Sequence, residues 1–343
     1  MTKMIKMSLV AAVAVAGFTT TASAQTAENA IKNVSVKGYF QYRWNKDMEA
    51  KKSFVNDRNK FRLQATAKAN DTVSFTARAT DTGSASELNI DRKYLTASLG
   101  KATVIAGNFS DLSPFSDGTG INGEAVLFSA AKGLTLGAAY YHMDQGANLA
   151  SDAKDIAAVT ALGNAGSVNY ALWYVSHKDT NNYIYASANA KIAAANVELA
   201  YSSKSDETAA NGDTQTQLRL IASTKMDAVS IKAGAIMAGK DGAEVYLADS
   251  SDSKSDFGSS QIATSTAADA TGLYLNVGTK VSPAVGVSAE YYTIDGGKDL
   301  TVKATYQLAK NTSTFVRYSV GNDTDTAGAA DFKKLRVEMK YSF

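Results

Sequence analysis

The chain has 343 residues, 45% of them hydrophobic and 20% charged, with no cysteine, two histidines and 35 basic against 33 acidic residues. Without cysteine there is no disulfide scaffold, thiolate metal site or thiol nucleophile, and two separated histidines argue against a histidine metal centre. The even charge balance gives nucleic acid no handle, and the apolar content is too high for a disordered chain.

Residues 1–24 read as a signal peptide. Lys3 and Lys6 make the positive start, Ser8 to Phe18 the apolar stretch, and Ala22-Ser23-Ala24 the A-x-A cleavage site before Gln25. The apolar run is about half of the roughly 20 residues that a spanning helix needs. Removing Lys3 and Lys6 leaves the mature chain with as many cations as its 33 acids. Residues 25–33 form a short periplasmic lead-in.

From residue 34 to the end, apolar and polar residues alternate. In Val34-Ser35-Val36-Lys37-Gly38-Tyr39-Phe40-Gln41-Tyr42-Arg43-Trp44, one face carries Val34, Val36, Phe40, Tyr42 and Trp44, and the other Ser35, Lys37, Gln41 and Arg43. Successive strand side chains point to opposite faces, so this is a two-faced strand. Phe61, Leu63, Ala65 and Ala67 alternate with Lys60, Arg62, Gln64, Thr66 and Lys68, and Val73 to Thr80 repeats the pattern after an Asn70-Asp71 turn signal. The predicted strands are 34–44, 57–69, 72–81, 89–99, 102–109, 123–130, 133–142, 155–162, 167–176, 183–190, 196–203, 215–224, 229–238, 271–280, 285–293, 299–307, 312–320 and 332–343. That is eighteen; the segments 89–99, 123–130 and 155–162 alternate poorly, which leaves sixteen as the other reading.

The connections alternate in length. Short ones fall near 70–71, 100–101, 131–132, 163–166, 191–195, 225–228, 281–284 and 308–311. Long ones fall near 45–56, 82–88, 110–122, 143–154, 204–214, 239–270 and 321–331, with 177–182 and 294–298 of moderate length. The longest, 239–270, is rich in Ser, Asp, Ala and Thr and reads as flexible and solvated. Short turns on one rim and long loops on the other are the grammar of a transmembrane barrel. An even strand count then places both termini on the periplasmic side.

A soluble sandwich would alternate too. Against it stand the strand length, the long cations at consecutive inward positions, and aromatics near the strand ends on the apolar face: Tyr42, Trp44, Tyr140, Tyr174, Tyr201, Tyr291, Tyr306, Tyr318, Tyr341 and Phe343. Rings that are apolar with a polar handle settle at membrane boundaries. The fold class is therefore all-β, a closed antiparallel transmembrane β-barrel over 34–343, since a sheet in lipid must close to satisfy its backbone.

The end of the chain, Tyr341-Ser342-Phe343 after Leu335, Val337 and Met339, resembles the C-terminal signature of Gram-negative outer-membrane barrels. Gly38 to Trp44 resembles the first strand of general porins, and Ala106-Gly107-Asn108-Phe109 the strand before their constriction loop, with Asn108 where an arginine often stands. The leader and Ala27 to Val34 are similar to the major outer-membrane porins of campylobacter-type bacteria, which are eighteen-stranded trimers. The resemblance implies an outer-membrane porin, a homotrimer, and Tyr341 and Phe343 as an assembly signal read by the outer-membrane assembly machinery.

A barrel of this width holds water, so its inward wall should be polar. The alternation places Lys37, Arg43, Arg58, Lys60, Arg62, Lys68, Arg78, Arg219, Lys232, Lys303, Arg317, Lys334, Arg336 and Lys340 inward, against only Glu198, Glu290 and Glu338. The balancing acids are then assigned to loops: Asp111, Asp117, Glu124, Asp206, Glu207, Asp249, Asp252 and Asp256. By its place in porins, 110–122 is the constriction-loop candidate, with Asp111, Pro114 and Asp117 set to face the basic wall.

No catalytic residue, cofactor or metal ligand is assigned. His142 and His177 fall near strand ends without an orienting partner in the sequence, which does not support an enzyme. Asp249 to Asp256 lacks the glycine and the terminal glutamate of an EF-hand, although scattered loop carboxylates leave loop calcium open and unassigned. The function expected is passive diffusion of ions and small hydrophilic solutes across the outer membrane. The alternatives are a substrate-selective channel and a barrel-anchored adhesin. A plugged energised transporter is disfavoured, because only Gln25 to Asn33 separate the leader from the first strand.

Overall fold

The computed structural model describes residues 33–48, 55–81, 88–110, 112–115, 120–142, 155–206, 213–243, 245, 268–295, 297–323 and 330–343. They form eighteen strands: β1 (Val34–Asp47), β2 (Val55–Lys68), β3 (Val73–Asp81), β4 (Asn89–Leu99), β5 (Ala102–Ser110), β6 (Gly120–Ala131), β7 (Leu134–His142), β8 (Ile156–Ala165), β9 (Val168–His177), β10 (Asn181–Ile192), β11 (Ala195–Asp206), β12 (Thr214–Met226), β13 (Val229–Ala238), β14 (Thr271–Lys280), β15 (Val285–Ile294), β16 (Gly297–Ala309), β17 (Thr312–Asp323) and β18 (Ala330–Ser342). Each pairs antiparallel with the next, and β18 pairs with β1, so the sheet closes with no free edge.

The count is eighteen because the three weakly alternating segments are strands. In β4 the register shifts between Arg78 and Ala79 of its partner, and such a bulge adds one residue and inverts the face of the residues beyond it, which breaks the sequence alternation. In β6 the register is regular from Asn122 to Ser129, and the pattern is blurred by composition: Glu124 stands outward, whereas Ala125 and Leu127 stand inward. In β8 the cause is composition: Ala157, Ala158 and Ala161 offer no polarity contrast between faces.

Burial follows the pleat. On one face Leu95, Val126, Leu136, Leu172, Leu199, Leu275 and Val302 are exposed large apolar residues, and Tyr140, Tyr174, Tyr201, Tyr291, Tyr306, Tyr318 and Tyr341 stand on the same outward face. The inward face carries the buried and half-buried polar groups.

At the rim with short turns, Asn70 Oδ1 accepts from the N–H groups of Thr72 and Val73 at 2.9 and 2.8 Å, ordering the β2–β3 turn. Two-residue turns elsewhere need left-handed backbone, which Gly100 and Gly166 supply at φ 61° and 63°. The other rim differs from expectation at two places. The 177–182 and 294–298 connections are tight, because β9 and β10 leave only 178–180, and β15 and β16 only 295–296. Asp179 and Asp295 take the left-handed conformation there, which short polar side chains tolerate better than branched ones.

Candidate pore lumen

The inward cations concentrate on one contiguous arc, β16–β17–β18–β1–β2–β3–β4. Lys303 stands directly opposite Arg317, and Arg317 opposite Arg336. Arg43 stands opposite Arg58, and Arg78 opposite Arg92. Like charges directly across a ladder are destabilising, so this wall is built against local stability.

Three groups relieve it in part. Arg43 Nε donates to Glu338 Oε2 at 2.9 Å. Arg78 binds Asp91 through Nε at 2.8 Å and Nη2 at 2.5 Å, with Thr80 Oγ1 donating to the same carboxylate at 3.0 Å. Arg336 Nε donates to Asn45 Oδ1 at 2.6 Å. Rings take further charge: Lys340 Nζ lies 4.4 Å and the Arg62 guanidinium 5.5 Å from the Tyr39 ring centre. Lys303 Nζ lies 4.4 Å from Phe315, and Lys334 Nζ 5.2 Å from Phe332.

Away from the arc, Arg219 Nη2 donates to Glu198 Oε1 at 2.9 Å, and Lys232 Nζ lies 5.4 Å from the Tyr274 ring. Lys37 and Lys68 share the inward register but are exposed at the short-turn rim. Arg58 is exposed, and Lys60 is half-buried.

Sequence reasoning missed several inward charges, among them Asp91, Arg92 and Asp299. Asp91 reaches the lumen side because it is the extra residue of the β4 bulge, which simple alternation does not foresee, whereas Arg92 keeps the ordinary inward parity of Tyr94 and Thr96. Asp299 shares the parity of Lys303 and could have been found from it; it is buried, and accepts from Thr301 Oγ1 at 2.9 Å. Glu124, assigned to a loop, instead lies within β6 on the outward face, its Oε2 3.1 Å from His142 Nε2. Asp206, also assigned to a loop, is the last residue of β11. Asp111, Asp117, Glu207, Asp249, Asp252 and Asp256 lie outside the described residues, as do Ala22, Ala24 and Gln25. Among the described residues there is no cluster of His, Asp and Glu that could hold a metal ion.

The described part of the β5–β6 connection, 112–115, packs on the inward face. Pro114 is buried, and Phe115 is 1% exposed, its ring 5.2 Å from that of Tyr183 and 6.2 Å from that of Tyr185 on β10. The Leu112 N–H donates to Tyr141 Oη at 3.1 Å. These residues join Phe109, Ile156 and Val175 in one buried cluster. The start of the longest connection enters the same cluster, against the expectation of a wholly solvated loop. Gly239 and Gly242 form a bridge, the Thr216 N–H donates to the Gly242 carbonyl at 3.0 Å, and Ala243 and Val245 beyond are buried. The packing therefore occupies the lumen side of β5–β11, beginning beside the β4 end of the basic arc.

Residues 2–94 match the model of the family described as Campylobacter major outer membrane protein. No curated protein matches the chain. Among solved structures, Pseudomonas aeruginosa OccK3 (OpdO) is similar at a TM-score of 0.72 and 15% identity, over 92% of this chain and 97% of that one. OccK1 (OpdK) of the same organism is similar at 0.72 and 14%, over 91% and 99%, and OpdK has also been solved with vanillate. At these identities the structures speak for the fold. With the family match over residues 2–94, the chain is an integral outer-membrane β-barrel.

Proposed function

We propose that this barrel is a water-filled channel for passive diffusion of ions and small hydrophilic solutes across the outer membrane. The observation that carries the reading is the closed eighteen-strand ring with an inward wall of charged and polar side chains. Barrels of eight strands fill with side chains, whereas those of roughly 16–18 leave an aqueous path. Nothing in the reading calls for catalysis or an energy source. It includes a homotrimer, delivery by the outer-membrane assembly machinery, both termini on the periplasmic side, and 110–122 as the constriction loop. Purified protein in a planar bilayer should give stepwise conductance; folded protein without steps would leave a structural or adhesive role instead.

A second reading has a specific observation behind it. The like-charged pairs Lys303–Arg317, Arg317–Arg336, Arg43–Arg58 and Arg78–Arg92 along one arc favour a preference for anionic solutes. The discriminating measurement is block of ion current. A small organic carboxylate such as vanillate should block in a saturable way if the channel is anion-selective, while a neutral sugar of similar size should not. Equal and unsaturable effects of both would leave general diffusion.

A further inference from the structure

The two rims of the barrel carry their charge differently. At the rim with short turns, every turn except β8–β9 brings a lysine. Lys101, Lys132 and Lys310 lie in the turns themselves, and Lys68, Lys191, Lys225 and Lys280 on the strands that enter them. All are exposed, and among the described residues none makes an ion pair. Register fixes where the strand-end lysines point. Lys191 stands opposite Asn196 on the face of Glu198, Lys225 opposite Ser230 on the face of Lys232, and Lys280 shares the face of Asn276. These lysines turn inward over the mouth of the lumen, while the next residues in the chain, Ile192, Met226 and Val281, are exposed and apolar. Lys37 on β1 carries the ring across the seam. Against these cations stand Asp71, Asp227 and the carboxylate of Phe343. The other rim is mixed: Asp47, Asp81, Asp206 and Asp323 end their strands there, among lysines such as Lys46, Lys178 and Lys298.

Neighbouring strands lie about 4.8 Å apart, so lysines on successive hairpins stand roughly 10 Å apart. The Debye length is also about 10 Å at 0.1 M salt. Their fields therefore overlap across the rim, and a mouth lined by one sign of charge concentrates counter-ions. We propose that the short-turn mouth is an anion-collecting vestibule that makes the pore rectify. The inference rests on the channel reading, in which this rim faces the periplasm. With the loop side held positive, anions enter at the ring, where they are already concentrated, and cations enter from the loop mouth. Both carriers accumulate inside and conductance rises. With the polarity reversed, the ring turns back entering cations, and anions leave through it faster than the loop mouth supplies them. The pore is then depleted and conductance falls. No bias exists at equilibrium; under a driving force, anions leave the periplasm and cations enter it more readily than the reverse. A lipid-anchoring role fits the ring less well, because the register turns these ammonium groups away from the lipid side.

The test is the current–voltage curve of the purified protein in a planar bilayer at about 0.1 M potassium chloride. The chain has no cysteine, so Lys280→Cys identifies the side: a polyethylene glycol maleimide too bulky to cross the pore should lower the current only from the turn-side chamber. Current should be larger with the loop side positive. The asymmetry should fade near 1 M salt, where the Debye length is about 3 Å. Lys191→Gln, Lys225→Gln, Lys280→Gln and Lys310→Gln together should remove most of it. If that variant does not fold, the inserted Lys280→Cys pore serves instead: a cationic methanethiosulfonate should preserve the asymmetry and an anionic one reduce it. A pore that conducts equally at both polarities, or more with the turn side positive, overturns the inference and leaves the channel reading standing. So does an asymmetry that survives both neutralisation and anionic labelling. Folded protein that never conducts removes the channel reading itself, and the inference falls with it.

Discussion

Gly38 and Phe343 lock the ring at its seam. The Gly38 N–H donates to the Phe343 carbonyl at 2.9 Å, and the Phe343 N–H to the Gly38 carbonyl at 3.0 Å. A β-carbon at position 38 would come 2.8 Å from the Phe343 ring and 2.4 Å from the Arg62 carbonyl oxygen. The aromatic ring thus lies over the one place on β1 where no side chain stands. The stack is extended by Tyr341, whose ring is 6.0 Å from that of Phe343.

Deleting Phe343 removes both seam hydrogen bonds and the ring. The heat-resistant barrel recovered from outer membranes should fall, and Gly38→Val should act in the same direction by displacing the ring. Undiminished yields of both variants at ordinary expression would mean that neither contact matters for assembly.

The outward and inward registers of β16 make opposite predictions for adjacent residues. Val302 is exposed on the apolar face, whereas Lys303 faces Phe315 across the lumen side. Val302→Arg should destabilise by about 2–4 kcal/mol if the position is near mid-membrane. Lys303→Gln should change stability by no more than about 1 kcal/mol, the scale of an exposed cation–π contact. Reversible unfolding in lipid or detergent measures both, and the reverse order would show that the strand faces are misassigned.

The basic arc should bias the pore toward anions. Lys60→Gln combined with Arg62→Gln removes two wall cations without touching the ion pairs of Arg43 and Arg78. Reversal potentials in a salt gradient should move toward cation preference. The difference should shrink near 1 M salt, where the Debye length is about 3 Å. An unchanged reversal potential at low salt would place the arc outside the conducting path.

The inward-packed 112–115 segment gives a separate test. Removing Ser113 to Gly118 should raise conductance if this loop narrows the pore, and Phe115→Ala should do so to a lesser degree by freeing the segment from Tyr183 and Tyr185. Asp111→Asn with Asp117→Asn should shift selectivity toward anions, since wall cations would lose their counter-charges. Native conductance and selectivity in all three folded variants would falsify the constriction role and leave the barrel untouched.

Alternation is a local property of successive side chains, so the amino-acid order alone established that there are strands, which face of each is apolar, and where most of them start and stop. Lys303, Arg317 and Arg336 could be placed inward on that ground alone. What alternation cannot carry is anything that depends on the neighbouring strand or on distant packing. The bulge that brings Asp91 to Arg78 exists only in the pairing of β3 with β4. The tight turns at 178–180 and 295–296 result from how far paired strands continue to find ladder partners. Val245 lies in a serine- and aspartate-rich stretch whose polarity suggests solvent, yet its burial beside the inward loop is set by residues contributed from β5–β11. Register and closure, which are relations between segments far apart in the chain, decided which charges meet.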